Sequence, residues 1–296
     1  MIPTSPAKRL GADLALLAVA TVWGATFPLA KEILRHLGPF QYLGARFALA
    51  AVLLGALAAA DLRRAGPGAW RGGLAVGAAL AAGYGFQTLG LRTASATVAA
   101  FLTGLSVVLV PVLGLAWGRR PTALEWLGVA AGFAGMALLT YRGGFRLGPG
   151  ELLLLGCAVA FAFHIVLLDR AARHASPLTL GALQLTVVGL LCGGAAAAEP
   201  PPAAVPPAIW LAIAGMAVFA SAVAFSVQSW AQRFTTPTRV GLLFAFEPVA
   251  AALFAWWWMA ERLTPAQWAG SALVLAGIVL AEVRGPRPAA EPPGGP

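Results

Sequence analysis

Six side chains interrupt long apolar stretches of this 296-residue chain and could do chemistry there: Arg46, Gln87, His164, Gln184, Gln228 and Glu247. A charge placed inside hydrocarbon costs roughly 2.5–3.5 kcal/mol by insertion scales, so such groups face protein or a water-filled cavity. Gln87 and Gln228 each follow an aromatic residue by three positions, Tyr84 and Phe225. On a helix that spacing puts ring and amide on one face. Ser221, Phe225, Gln228 and Gln232 extend the second stripe. It reads either as a cavity wall offering a π-face with an amide donor and acceptor, or as an interhelical hydrogen bond of about 0.6–2 kcal/mol. Trp23 with Thr26 and Phe161 with His164 repeat the spacing. The imidazole could bind a ligand or carry a proton, because an unperturbed histidine titrates near neutrality; it could equally be a neutral ring bonded to a neighbouring helix. Glu247 precedes Pro248, which lacks an N–H and leaves a carbonyl near Phe244 without its bond. Glu247 therefore lines a kink, carries a proton, or pairs with a cation. Arg46 is expected to pair with Glu247 or with a ligand carboxylate.

The elements that hold these groups are set by composition. Hydrophobic residues make up 59% of the chain and charged residues 10%, and the mean hydropathy is +0.81. A soluble domain carries about 25% charge, so water cannot be the main solvent of this surface. Ten apolar runs stand out, near 12–31, 39–60, 70–91, 96–117, 123–141, 150–168, 177–198, 208–230, 238–259 and 265–283. Each is long enough to cross a bilayer, and backbone groups in lipid must bond within the segment, so the runs are helices. Turn formers or charges separate them, as at Gly38-Pro39, Gly66-Pro67-Gly68, Arg119-Arg120-Pro121 and Gly143-Gly144. Glu199 to Pro207 reads as an extended loop and 284–296 as a disordered cytoplasmic tail. Lys8-Arg9 and Ala18-Val19-Ala20 resemble a cleavable leader, but the apolar run continues to Ala30, so it reads as a retained first span.

The net charge of +9 does not imply nucleic acid, because the basic residues sit singly or in pairs at the ends of apolar runs. With the N-terminus inside, thirteen Lys and Arg fall on the cytoplasmic side and six on the outer side, with Arg46 inside a span. That bias puts both termini in the cytoplasm. Cys157 and Cys192 lie in apolar runs and read as small buried hydrophobes. No P-loop, HExxH or Gly-x-Ser-x-Gly pattern is present, so no catalytic, cofactor or metal site is expected.

The chain repeats itself. At an offset of 138, Asp13 matches Glu151, Trp23 matches Phe161, Pro39 matches Pro177, Gly55 matches Gly193 and Asp61 matches Glu199. At 142, Thr93 matches Thr235, Arg120 matches Arg262, Trp126 matches Trp268, Gly128 matches Gly270 and Gly135 matches Gly277. The units are 12–141 and 150–283, each with five spans. Five is odd, so the second unit enters the membrane in the opposite sense. The fold expected is an all-α integral membrane protein of ten transmembrane helices in two inverted five-helix repeats, the plan of many secondary transporters. Thr26 then corresponds to His164 and Arg46 to neutral Gln184, an asymmetry that hints at anion preference. Gly128, Gly132 and Gly135 with Gly270 and Gly277 allow close helix contact, favoured as packing within one chain over a dimer face. Trp256, Trp257 and Trp258 read as interfacial anchors.

Trp23-Gly24-Ala25-Thr26-Phe27 with Lys31 resembles the first-span signature of EamA-type members of the drug/metabolite transporter superfamily. Gln87 to Leu91, Thr93 to Ala96 and Ala100 to Leu105 through Pro111 resemble the third and fourth spans. Phe246-Glu247-Pro248 with Glu261 resembles the ninth span and its exit. The resemblance covers about 12 to 283. It implies both termini in the cytoplasm, a central cavity lined by spans 1–4 and 6–9, Thr103 on its wall, and spans 5 and 10 at the periphery. It implies transport of amino acids, related metabolites or drugs across an inner membrane, often outward, without enzymatic activity. The expected partners are a small-molecule substrate, the bilayer and a coupled proton, with the chain acting as monomer or homodimer. Phe161-Ala162-Phe163-His164 departs from the aromatic-Gly signature, so first-span contacts do not carry over to span 6. Two rivals stand beside this reading. An intramembrane enzyme on a lipid-linked substrate would need clustered acids, bases or metal ligands, which are sparse. A non-transporting scaffold or sensor would use the two glutamines for assembly alone.

Overall fold

The computed structural model describes residues 6–140, 148–258 and 263–283. The first half runs α1 (Pro6–Ile33), α2 (Pro39–Leu57), α3 (Ala59–Arg63), α4 (Pro67–Leu91), α5 (Ala96–Gly104), α6 (Ser106–Ala116) and α7 (Ala123–Thr140). The second half runs α8 (Pro149–Ala171), α9 (Pro177–Ala196), α10 (Pro207–Gly215), a π-helical stretch (Met216–Val223), α11 (Ala224–Ala231), α12 (Pro237–Phe244), α13 (Glu247–Trp258) and α14 (Pro265–Val283). Proline opens α1, α2, α4, α8, α9, α10, α12 and α14. Its fixed φ suits the first helical position, where its missing N–H would have had no partner anyway. Ser95, Ser176 and Thr236 cap α5, α9 and α12 by accepting from the backbone N–H three residues on.

Among the described residues eight helical stretches are long and apolar enough to cross a membrane, and α7 and α14 are shorter apolar helices. Together they form an all-helical membrane protein of ten crossings. Its outer surface is apolar: Leu57 is 75% exposed, Leu190 71% and Leu211 75%. Such a surface suits hydrocarbon and would aggregate in water.

Glycine contacts fix the helix directions. α4 lies antiparallel to α8, with Gly90 against Gly150 and Gly72 against Ala171. It lies parallel to α9, with Gly73 against Leu183 and Gly77 against Val187. α2 lies antiparallel to α9, with Gly44 against Gly193 and Gly189 against Ala48. Since the short turn after Ile33 reverses α1 into α2, α1 runs with α9 and α4, and therefore against α8. The two halves are inverted. At α7 and α14 the exchange is visible residue by residue. A Cβ on Gly135 would lie 2.6 Å from Gly270 O, and one on Gly277 would lie 2.6 Å from Gly128 O. These glycines therefore pack within the chain, backbone on backbone.

The acidic ends also exchange. The Glu199 carboxylate accepts from the backbone N–H of Phe40 (3.0 Å) and Gln41 (2.9 Å) at the start of α2. Its counterpart Asp61 accepts from the hydroxyl of Ser176, the cap of α9, at 2.6 Å. A buried ion pair, Arg239 to Asp13 at 3.1 Å, ties α12 to α1, and Arg119 pairs with Asp169 between the ends of spans 4 and 6.

Three features differ from the sequence reading. The first helix begins at Pro6 rather than 12, because Lys8 and Arg9 are long enough to place their charges at the interface while the backbone stays helical. The bend expected at Pro248 is a complete break: α12 ends at Phe244 and α13 starts at Glu247. The chain closes α12 through Ala245 N–H to Gly241 O and Phe246 N–H to Leu243 O, since Pro248 has no N–H to offer. Span 4 breaks at the matching place, at Leu105 between α5 and α6, without a proline there. The tail 284–296, Gly143-Gly144, Arg142, Arg146, Glu261, Arg262 and the side chains of Trp257 and Trp258 lie outside the described residues. Trp256 is exposed and meets Trp268 edge to face.

Candidate functional site

Where the halves meet, they line a small, partly open cavity. Trp23, Thr26, Arg46, Tyr84, Gln87, Thr103, His164, Phe225, Gln228 and Glu247 all line it. They arrive from different helices because each stripe faces the other half of the molecule. The rings follow the repeat. Trp23 meets Phe225 with centroids 5.3 Å apart, and their counterparts Phe161 and Tyr84 meet at 5.4 Å. Tyr84 and Phe225 correspond to each other and meet edge to face at 6.1 Å, so the pseudo-twofold axis passes between them. Phe244 adds a ring 5.0 Å from Trp23. Both helix breaks open here, with Gly104 and Ser106 on one side and Phe244 and Glu247 on the other.

The polar groups depart from that symmetry. Arg46 is only 2% exposed. It donates through Nε to Ser221 Oγ (2.8 Å), through Nη1 to the Tyr42 hydroxyl (3.0 Å) and through Nη2 to Ala220 O (3.0 Å). Its guanidinium lies 5.0 Å from the Phe47 centroid and 5.2 Å from that of Tyr84. Trp23 Nε1–H donates to the same Ala220 carbonyl at 2.9 Å. A π-helical turn displaces the usual backbone bonds, and here two side chains from α1 and α2 grip one of its carbonyls. The expected pairing of Arg46 with Glu247 does not form. Arg46 sits on the Tyr42 phenol one turn earlier in α2 and on a hydroxyl and a carbonyl that the π stretch presents within reach.

Gln184 does not line the cavity. It stands behind His164: His164 Nε2 and Gln184 Oε1 are 2.8 Å apart, and Gln184 Nε2 donates to Ser229 Oγ at 3.3 Å. With its amide N–H₂ turned to Ser229, the Gln184 oxygen must accept from the imidazole, which leaves Nδ1 as an acceptor in the neutral ring. Gln87 Nε2 donates to Thr103 Oγ1 (3.3 Å), itself 3.7 Å from Cys157 Sγ. Gln228 Nε2 donates to Gln232 Oε1 (2.9 Å) and Gln232 Nε2 to Ile165 O (2.8 Å), while Gln228 Oε1 is buried without a partner. Thr26 turns its hydroxyl to Trp23 O. Glu247 is half-buried and makes no hydrogen bond or ion pair among the described residues.

Sequence reasoning missed Tyr42, Thr88, Ser106 and Phe244, which also line the cavity. Tyr42 carried a usable signal, one helical turn before Arg46 on the same face. Phe244 carried one too, one turn before the Glu247-Pro248 break.

The family model for the EamA-like transporter family matches residues 10–141 and again 148–282. An uncharacterized transporter of Archaeoglobus fulgidus is 32% identical over 279 residues, covering 94% of this chain and 87% of the relative. The uncharacterized inner membrane transporter YedA of Escherichia coli is 25% identical over 278 residues, covering 90% and 89%. A solved crystal structure shares the fold with a TM-score of 0.76 at 21% identity, covering 92% of this chain and 96% of the other.

Proposed function

The chain belongs to the EamA-like transporter family, a family of membrane transporters rather than enzymes, and from that premise we propose that it is a secondary transporter working by alternating access. The substrate is a small metabolite held in the central cavity, and the direction is export across the inner membrane, with both termini in the cytoplasm. Trp23, Tyr84, Thr103, Phe225, Gln87 and Gln228 bind it, and Thr26 and His164 border it. Gln184 acts by holding the imidazole, and Arg46 by holding the π stretch. Glu247 is the group that would carry a coupled proton.

One observation carries this reading. The cavity straddles the pseudo-twofold axis, and each half contributes an aromatic ring, a glutamine amide and a helix break to it. Two near-equivalent halves around one polar centre can exchange which side is open by rocking about it. Broken helices in matching positions supply unpaired backbone groups where a ligand passes.

The test is flux in proteoliposomes with labelled amino acids and small metabolites, with and without a pH gradient. At least one compound should be carried, and Gln87→Ala and Gln228→Ala should each reduce its flux about tenfold while the protein still elutes as a single species. Absence of flux for every compound would overturn the reading. Unchanged flux in both variants would remove the glutamines from the site and favour the assembly role.

A further inference from the structure

We infer that the central cavity is built for an organic cation, an ammonium group carried on a flat apolar body, with Glu247 as its counter-ion. The inference rests on the cavity being the substrate site. The polar groups around it have been used unequally. Arg46, the arginine among its described lining residues, donates to Ser221, Tyr42 and Ala220 O and lies against two ring faces. Trp23 Nε1–H is bonded to Ala220 O. The donors of these two side chains are committed to the protein, while several acceptors are not. Gln228 Oε1 is buried and has no partner among the described residues. His164 Nε2 is bonded to Gln184, so Nδ1 is the ring nitrogen left to accept. Glu247 brings a carboxylate to the wall and makes no ion pair among the described residues.

A bound anion would put its charge beside that carboxylate and leave buried oxygens facing oxygens, an arrangement that costs both repulsion and unmade hydrogen bonds. An ammonium reverses each term. It supplies N–H donors to oxygens that have none, and it neutralises Glu247 in a site of low dielectric. The rest of the lining suits the body of such a molecule. Trp23, Tyr84, Phe161, Phe225 and Phe244 offer ring faces, which attract both flat apolar groups and cations. The asymmetry of the repeat locates the charge. The position matching Glu247 in the first half is Leu105, so the repeat places a carboxyl in one half only.

Four compounds with one indole ring isolate the charge: tryptamine (cation), tryptophol (neutral), tryptophan (zwitterion) and indole-3-propionate (anion). Binding to the purified full chain is read by calorimetry, and flux by the same compounds in proteoliposomes. Tryptamine should bind at least about tenfold more tightly than the other three. Glu247→Gln should remove that advantage while leaving tryptophol within about twofold, and Glu247→Asp should keep it. If Glu247→Gln does not fold, the order of the four on the wild type and on Glu247→Asp decides. Equal binding of all four, tighter binding of indole-3-propionate, or no binding of any overturns the inference. Charge-ordered binding without flux supports the substrate class and overturns transport. Flux without charge order does the reverse.

Discussion

Spans 3 and 8 occupy the same place in the two repeats and bring the same pair to the cavity, Tyr84 with Gln87 and Phe225 with Gln228. They hold that pair in different ways. Span 3 is one unbroken helix, α4, pressed onto α8 and α9 through glycines. A Cβ on Gly90 would lie 2.7 Å from Gly150 O, and one on Gly77 would lie 3.0 Å from Gln184 Cα. Span 8 is α10, a π stretch and α11, and its position is held by side-chain donors from α1 and α2. Backbone on backbone gives a wall with little freedom to re-pack. A displaced turn gripped by hydrogen bonds gives a wall with alternative arrangements, since the same donors can release one carbonyl and take another. A duplicated unit has thus become one fixed wall and one adjustable wall around a shared ring pair.

That contrast can be broken from either side. Arg46→Met should have the largest effect. It leaves Ser221 and Tyr42 without their charged donor inside the membrane and should cost about 2–4 kcal/mol of stability in a denaturation titration. Gly90→Ala should follow, at about 1–3 kcal/mol, because the new methyl meets backbone that cannot swing away. Gln184→Leu, at the position matching Arg46, should cost about 1–2 kcal/mol, since Ser229 keeps its bond to Phe225 O and only the imidazole loses its partner. If Gln184→Leu proves as damaging as Arg46→Met, the halves are held alike and the contrast fails. Trp23→Phe should be mildest, about 1 kcal/mol, because Arg46 still donates to Ala220 O. Its sharper readout is hydrogen exchange across Met216–Val223, which should quicken while α4 is unaffected.

The frame of this molecule is written in local pattern. Apolar runs of membrane length, prolines at helix starts and matching Pro, Trp and Gly positions predict the ten crossings and their pairing. They do so because lipid forces every segment to satisfy its own backbone. Facing is legible too: ring and amide three apart brought Tyr84, Gln87, Phe225 and Gln228 to one cavity. What no local pattern reports is which partner a polar group takes. Arg46 looked free for a carboxylate, and two of its three partners, Ser221 and Ala220 O, lie about 175 residues away in a π-helical stretch. Gln184 sat on the same helix position as Arg46 and turned out to stand behind the cavity wall, because His164 lies between. The break at Leu105 carries no proline, and only its match to Glu247-Pro248 in the other repeat could have signalled it.

Glu199 and Asp61 each finish a helix start in the opposite half, so neither half is self-sufficient. Expressed alone, residues 1–140 would present α2 with no carboxylate on its leading amides. Expressed together as separate fragments, the two would meet in the bilayer as subunits do, each completing the other. The chain has the plan of two like units that lean on each other for their helix starts.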